Sequence, residues 1–370
     1  MRVLWISRYQ GNLNGYRPEG EILIDLKRTG LDIDFMGFGD EAYIQRIREH
    51  GIPVTHFETP RKKFDWQAIK TIRAQLKSGA GSKGYDVAMA FQGKAIAALL
   101  MAAIGLKVKT VAYRGQTGNI FRHDPTSYLT MLHPRLDGII CVAKAIEDDL
   151  RLRVWSQQRP NITTIYKGHD VNWYTRTPAD LDARLGIPQH AFVLGFAANV
   201  RPRKGLPVLL EAAKYVPAES KVHCLLMGNG TDNEETKAKA AASGSGVIFH
   251  CLGYRTDVIE LISSCDATVL PTLKREGLSR SIIESMAMEI PVIASDTGGN
   301  AELVADGDSG YVVPPGDAQA LADAIFKMAT DREQTTQMGK RSRQRIAEHF
   351  NHEQAVVQYK AYFEGLASKA

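Results

Sequence analysis

The sequence predicts two doubly wound α/β units in tandem, and three observations predict them. The chain has 370 residues, against roughly 100–200 for a typical domain. Short apolar runs alternate with helix-period stretches, which is the pattern of parallel βαβ units. Across residues 167–190, which include Gly168, Pro178, Gly186 and Pro188, the alternation stops and then restarts.

In the first half, residues 2–7 read as a buried strand and residues 19–28 as a helix, closed by Thr29-Gly30 as a helix C-terminus is. Further strands are expected at 33–38, 54–57, 87–91, 109–113, 138–142 and 162–166. The longest apolar stretch, 95–106, is shorter than the roughly 20 residues a bilayer needs, so it reads as a buried helix. After the break, strands are expected at 192–197, 222–227, 247–251, 267–271, 291–295 and 311–313, and helices at 205–215, 318–329, 332–350 and 352–367. The domains expected are 1–166, 167–350 and a closing helical segment 351–370. In doubly wound sheets ligands sit beyond the carboxyl ends of the strands, and two facing units create a cleft there.

Composition narrows the class. The four cysteines (Cys141, Cys224, Cys251 and Cys265) form no Cys-x-x-Cys pair, so they read as reduced thiols in a cytoplasmic protein rather than zinc ligands. The apolar run after Met1 stops at Arg8, and no signal peptide is read. Residues 1–165 carry 24 Lys/Arg against 16 Asp/Glu, and residues 166–370 carry 22 against 25, so a net +5 hides a basic first half. A basic half suits an anionic membrane, a phosphorylated substrate or nucleic acid, or is simply a basic surface. Trp66, Ile69, Ile72 and Leu76 recur at helical spacing beside Arg61, Lys62, Lys63, Lys70, Arg73 and Lys77. Such a basic amphipathic helix either packs on a sheet or lies on an anionic membrane.

The segment from Pro271 to Ser295 carries the most chemistry. A strand ends at Pro271, a loop holds Glu276, and a helix follows with Glu284 about two turns in. The helix start near Leu278, Ser279 and Arg280 offers unpaired N–H groups to a diphosphate. Glu276 is placed to grip sugar hydroxyls and Glu284 to accept from two ribose hydroxyls. On spacing alone, an ordinary strand–helix unit with two surface glutamates fits equally well.

With its context, the segment resembles the Glu-x7-Glu motif of family-4 retaining glycosyltransferases of the GT-B fold. Glu276 and Glu284 match the two glutamates, with Gly277-Leu278-Ser279-Arg280-Ser281 between them, Pro291 to Val304 after them, and Gly310 to Asp317 beyond. Asn199-Val200-Arg201-Pro202-Arg203-Lys204-Gly205 resembles the family's cationic loop, which implies that Arg201 and Lys204 neutralise the leaving diphosphate, with Arg203 a weaker candidate. Ala198-Asn199 stands where the family has Gly-Arg. Gly228-Asn229-Gly230 is similar to the family's Gly-x-Gly turn, and Tyr254-Arg255 to the loop beside the nucleobase. The first half resembles the family more loosely. Gly11 and Gly15 split the usual Gly-Gly loop, and Arg114, with His123 soon after, occupies the region where many members carry an acceptor-side His. Gly15, Arg114 and His123 are the acceptor-binding candidates, and Arg114 suits an anionic or heavily hydroxylated acceptor. Residues 165–170 are similar to an interdomain motif and read as structural.

The resemblance implies a retaining hexosyl transfer from a UDP- or GDP-sugar to a glycan or lipid-linked hydroxyl, in bacterial surface polysaccharide or lipopolysaccharide synthesis. It places the acceptor in 1–166, the donor in 167–350 and the last helix against the first domain. Arg201, Lys204 and the helix start stabilise charge on the diphosphate, Glu276 orients the sugar, and closure over the donor excludes water. No metal or other cofactor is expected, since the nucleotide sugar is a substrate. The expected location is the cytoplasm, with contact to the inner face of an anionic membrane as a further possibility. The alternatives are a GT-B nucleotide-sugar epimerase and a non-catalytic nucleotide-sugar-binding protein. No nucleic-acid motif supports a third, a nucleic-acid binder.

Overall fold

The computed structural model describes residues 1–78, 84–244 and 246–368. Residues 369–370, the end of the expected closing segment, lie outside the described residues. The chain divides into two compact units, Met1–Gly168 together with Phe350 onward, and His169–His349.

The first unit alternates β1 (Arg2–Tyr9), α1 (Leu13–Arg28), β2 (Asp32–Gly39), α2 (Glu41–Glu49), β3 (Val54–His56), α3 (Trp66–Ser78), β4 (Val87–Ala90), α4 (Gly93–Ala102), β5 (Lys109–Arg114), β6 (Gly138–Cys141), α5 (Lys144–Arg153) and β7 (Ile162–Thr164). Its sheet is parallel throughout, in the order β3-β2-β1-β4-β5-β6-β7. Val3–Ile6 of β1 and the whole of β4 are apolar and buried, as in parallel sheets covered by helices on both faces. Trp5, Tyr9, Phe35, Phe91 and Tyr359 share one aromatic-rich core.

Helix α1 begins six residues before the expected start. Asn12 caps it, its Oδ1 accepting from the Asn14 N–H at 2.9 Å, and the helix tolerates Pro18 inside. Gly15 therefore sits in the first turn of a helix, not in a glycine loop. At the other end Gly30 has φ +91°, the conformation that closes the helix at little steric cost. The stripe expected on α3 also changes. Ile69, Ile72 and Leu76 are buried, and α3 packs beside α4, but Trp66 is 59% exposed. The apolar stripe is thus core, and Trp66 stacks on exposed Phe64 with Lys70 over its ring.

The chain's last helix belongs to the first unit. The second unit runs through α6 (Leu181–Leu185), β8 (Phe192–Ala197), α7 (Leu206–Ala212), β9 (Val222–Met227), α8 (Glu234–Ala241), β10 (Val247–Gly253), α9 (Val258–Ser263), β11 (Ala267–Leu270), α10 (Arg280–Ala287), β12 (Val292–Ser295), α11 (Asn300–Leu303), β13 (Gly310–Val313), α12 (Ala318–Thr330) and α13 (Arg332–His349). Its parallel sheet has the order β10-β9-β8-β11-β12-β13. Residues that read as a linker are packed here: Tyr174 and Ile187 are buried, and Arg176 donates to the Ser263 carbonyl at 3.1 Å. Helix α14 (His352–Ala367), capped by Asn351, buries Tyr359, Phe363 and Leu366 in the first unit's core, and His352 lies 2.8 Å from Asp25. Three cysteines are buried, Cys251 is half-buried, and all four are free thiols.

Candidate active site

In the second unit the strand order reverses between β8 and β11. Ligands of such sheets bind beyond the carboxyl ends at that reversal. The loops leaving these two strands are the cationic loop, 198–205, and the glutamate loop, 271–279.

The two loops touch because Gly205 permits it. Its φ is +76°, and a Cβ there would lie 1.7 Å from the Pro271 carbonyl oxygen. The Leu273 N–H donates to the Arg203 carbonyl at 2.8 Å. Glu276, only 8% exposed, is thereby brought against the cations. Lys204 Nζ donates to Glu276 Oε2 at 2.7 Å, Arg203 Nη1 lies 3.6 Å from the same oxygen, and Thr272 Oγ1 donates to it at 3.4 Å. The loop after β12 closes the far side. Gly298, at φ +59°, would place a Cβ 2.1 Å from the Glu276 carbonyl, so only glycine permits this contact. Arg275 is held at φ +61°, a strained conformation for a side-chain-bearing residue.

Ser279 is the N-cap of α10 and makes no side-chain bond to the first-turn amides. The helix therefore presents N–H groups and its positive dipole end at the loop. Glu284 lies just over one turn into α10, not two, because the helix starts only at Arg280. It is 5% exposed and pairs with Arg280 at 3.5 Å. Gly277 is buried and Leu278 half-buried between the two glutamates.

Other candidates have mostly structural partners. Asn199 Oδ1 accepts from the Asn229 N–H at 2.9 Å, and Gly228, at φ +139°, lets the β9 turn lie against Ala198. Arg255 is bidentate on Asp257, at 2.8 and 2.6 Å, which holds that carboxyl below its ordinary range. Tyr254 is 67% exposed at the end of β10, available for stacking. Arg201 is exposed in extended backbone, and Arg203 rather than Arg201 accompanies Lys204 at Glu276. The cation pattern puts Arg201 first and Arg203 second, whereas the short turn at 202–204 sets Arg203 against the carboxylate. Thr272 and Gly298 also close around Glu276, and only the fold brings them there.

In the first unit, Gly15 offers its carbonyl to Lys167 at 3.2 Å. Arg114, at the end of β5, donates to the Gly118 carbonyl, while Asp149 accepts from the Gly118 N–H at 3.0 Å. Burial pushes the Arg114 guanidinium below its ordinary value, and Asp149 partly offsets this. His123 is exposed and stacks on Phe121. Among the described residues no group of three or more His, Cys, Asp or Glu side chains is placed to hold a metal.

Residues 179–345 match the model of the family Glycosyl transferases group 1. This group 1 match covers the whole constellation around Glu276. N-acetyl-alpha-D-glucosaminyl L-malate synthase of Bacillus anthracis is 27% identical over 227 residues, 60% of this chain and 59% of that protein. The lipopolysaccharide core biosynthesis glycosyltransferase LpsE of Rhizobium meliloti is 28% identical over 187 residues, 50% of this chain and 53% of that protein. The chain thus spans about half the length of the curated relatives it matches. Among solved structures, Anabaena Alr3699/HepE in complex with UDP and glucose superposes with a TM-score of 0.73 at 22% identity, covering 99% of this chain and 100% of that one. A glycosyltransferase from Rickettsia africae gives a TM-score of 0.78 at 17% identity, covering 100% and 99%. At these identities the likeness is one of fold, and the fold is GT-B: two parallel-sheet, Rossmann-like units. The likeness to group 1 glycosyltransferases lies in residues 179–345, and the likeness to the solved structures is one of fold.

Proposed function

We propose that the chain is a retaining, metal-independent glycosyltransferase that moves a hexose from a nucleoside-diphosphate donor to a hydroxyl of a glycan or lipid-linked acceptor in bacterial surface polysaccharide synthesis. The observation that carries this reading is the buried Glu276 carboxylate facing Lys204 and Arg203 at the strand-order reversal of the second unit. A carboxylate there accepts from sugar hydroxyls and fixes the ring. The Lys204 ammonium has three N–H donors, and only one is needed for Glu276. The others, with Arg203 and the first amides of α10, face charge that grows on a departing diphosphate, an electrostatic role that needs no metal. Glu284 takes the ribose hydroxyls, and Tyr254 stacks on the base. The Anabaena neighbour's complex with UDP favours a uridine nucleotide as the first donor to try. The acceptor, and any contact with an anionic membrane, belong to the first unit, where Phe64 and Trp66 are exposed beside Arg61, Lys62, Lys63 and Lys70.

The test is thermal stabilisation by UDP, GDP and their sugars without added metal. Ligand at a hundred times its dissociation constant adds about 2.7 kcal/mol. A shift with one nucleotide class, lost in Lys204→Ala and Glu284→Ala, is expected; no shift with any nucleotide refutes the reading. Donor turnover that needs no acceptor would move the assignment to an epimerase, and binding without turnover to a non-catalytic binding protein.

A further inference from the structure

In the first unit the strand order reverses between β1 and β4, so this unit has its own crevice position beyond those two carboxyl ends. Four polar side chains from four segments meet there. Ser7, near the end of β1, is buried, and Gln92, just past β4, has Nε2 3.4 Å from Ser7 Oγ. Glu19, in the second turn of α1, accepts a hydrogen bond from Ser7. Lys167, beyond β7, holds its ammonium 4.0 Å from Glu19 Oε1 and also donates to the Gly15 carbonyl. The Glu19 and Lys167 side chains are 15% and 18% exposed, which a small ligand can reach. Burial first, and then the nearby Glu19 charge, hold the hydroxyls of Tyr9, Tyr113 and Tyr359 above their ordinary range. Burial pushes the Glu19 carboxyl up, and Lys167 and Ser7 only partly oppose this. Putting a carboxylate here costs stability that an apolar residue would not.

The chemistry of the four groups selects the ligand. An ionised carboxylate only accepts, and an ammonium only donates. A sugar hydroxyl does both, so two neighbouring ring hydroxyls satisfy Glu19 and Lys167 together. A phosphate meets the like charge of Glu19. Arg114, at the end of β5, is committed to the Gly118 carbonyl.

We infer that Ser7, Glu19, Gln92 and Lys167 form the acceptor subsite of the first unit, and that it takes a neutral sugar ring with adjacent hydroxyls. As an acceptor subsite it rests on the glycosyl-transfer reading above; as a sugar site it is measurable without it.

The experiment is saturation-transfer NMR on the full chain with methyl α-D-glucopyranoside, methyl α-D-mannopyranoside and methyl α-D-galactopyranoside, and glucose 1-phosphate as the anionic probe. UDP-induced thermal shift is recorded in parallel. At least one neutral glycoside binds the wild type about tenfold more tightly than glucose 1-phosphate. Glu19→Gln and Lys167→Met weaken it about tenfold or more, as losing a charged hydrogen-bond partner does, while the UDP shift stays unchanged. Glycoside affinity falls as Glu19 is protonated on acidification, and in Glu19→Gln it is flat over that range. The melting temperature of Glu19→Gln equals or exceeds the wild type. Unchanged glycoside binding in Glu19→Gln, preference for glucose 1-phosphate, or no glycoside binding by the wild type would each overturn the inference. A Glu19→Gln variant that loses stability without losing glycoside binding would mark Glu19 as structural. Absence of a UDP shift in the wild type tells against the transferase reading instead, and leaves the glycoside result standing.

Discussion

Glu276 is held by contacts from three loops, and each contact can be removed singly. Lys204→Ala and Glu276→Gln are each expected to lower the rate of sugar transfer about 10²–10³-fold, the range for losing one preorganised charged group. Because the two side chains are bonded at 2.7 Å, the double variant should lose much less than the product of the two effects. Steady-state release of nucleoside diphosphate measures all three, and independent effects would argue against a shared site. Gly205→Ala probes the loop contact itself. A methyl group at φ +76°, 1.7 Å from the Pro271 oxygen, forces the cationic loop off the glutamate loop. The expected cost is at least about 1–3 kcal/mol in urea unfolding, with loss of nucleotide binding; wild-type stability would show that the loops move apart freely. The buried thiols give a simpler check. Burial pushes Cys141, Cys224 and Cys265 above the ordinary thiol range, so native protein should expose at most the half-buried Cys251 to Ellman's reagent.

At the scale of elements, strands β9 and β10 carry a histidine pair. His223 Nδ1 lies 3.0 Å from His250 Nε2, with the rings stacked. Burial lowers both imidazoles below 6.5, and His223 adds to the effect on His250. The folded state therefore favours the neutral rings, and below about pH 6.5 the unfolded chain binds protons that the fold refuses. Stability from this pair is complete above that range and declines as pH falls through it. Urea midpoints taken between about pH 7.5 and 5.5 should fall more steeply for wild type than for His250→Gln; parallel curves would mean the pair does not titrate on unfolding. Helix α14 is the other element with a clear expectation. Phe363 is fully buried against the first unit's core, and Phe363→Ala should cost about 3–5 kcal/mol by chemical denaturation.

For the molecule as a whole, each unit has its own core, and the nucleotide site proposed above lies within the second. Calorimetric unfolding need not be two-state for such a chain. Nucleotide should raise only the transition of the second unit, and methyl glycoside only that of the first; a single transition raised equally by both would show the units unfolding together.

Much of this was legible from residue order because it is local. Strand and helix types follow from apolar period, so the strand at 192–197 and the helix at 352–367 were read at their observed bounds. Glu276 and Glu284 share one strand–loop–helix segment, so their pairing with a helix start was visible too. Helix bounds that depend on a cap were not: Asn12 draws α1 back over a stretch that reads as a glycine loop. Nor was the choice between Arg201 and Arg203, which a three-residue turn decides. Least visible was the first unit's polar cluster. Ser7 and Gln92 are 85 positions apart, and Lys167 and Gly15 are 152 apart. The sequence determined the elements, their alternation and the chemistry of the donor loop, because each depends on neighbours within a few residues. Only the tertiary structure decided which carboxyl ends lie side by side. Strand order is set by packing whole apolar faces against each other, and no short stretch of residues records it.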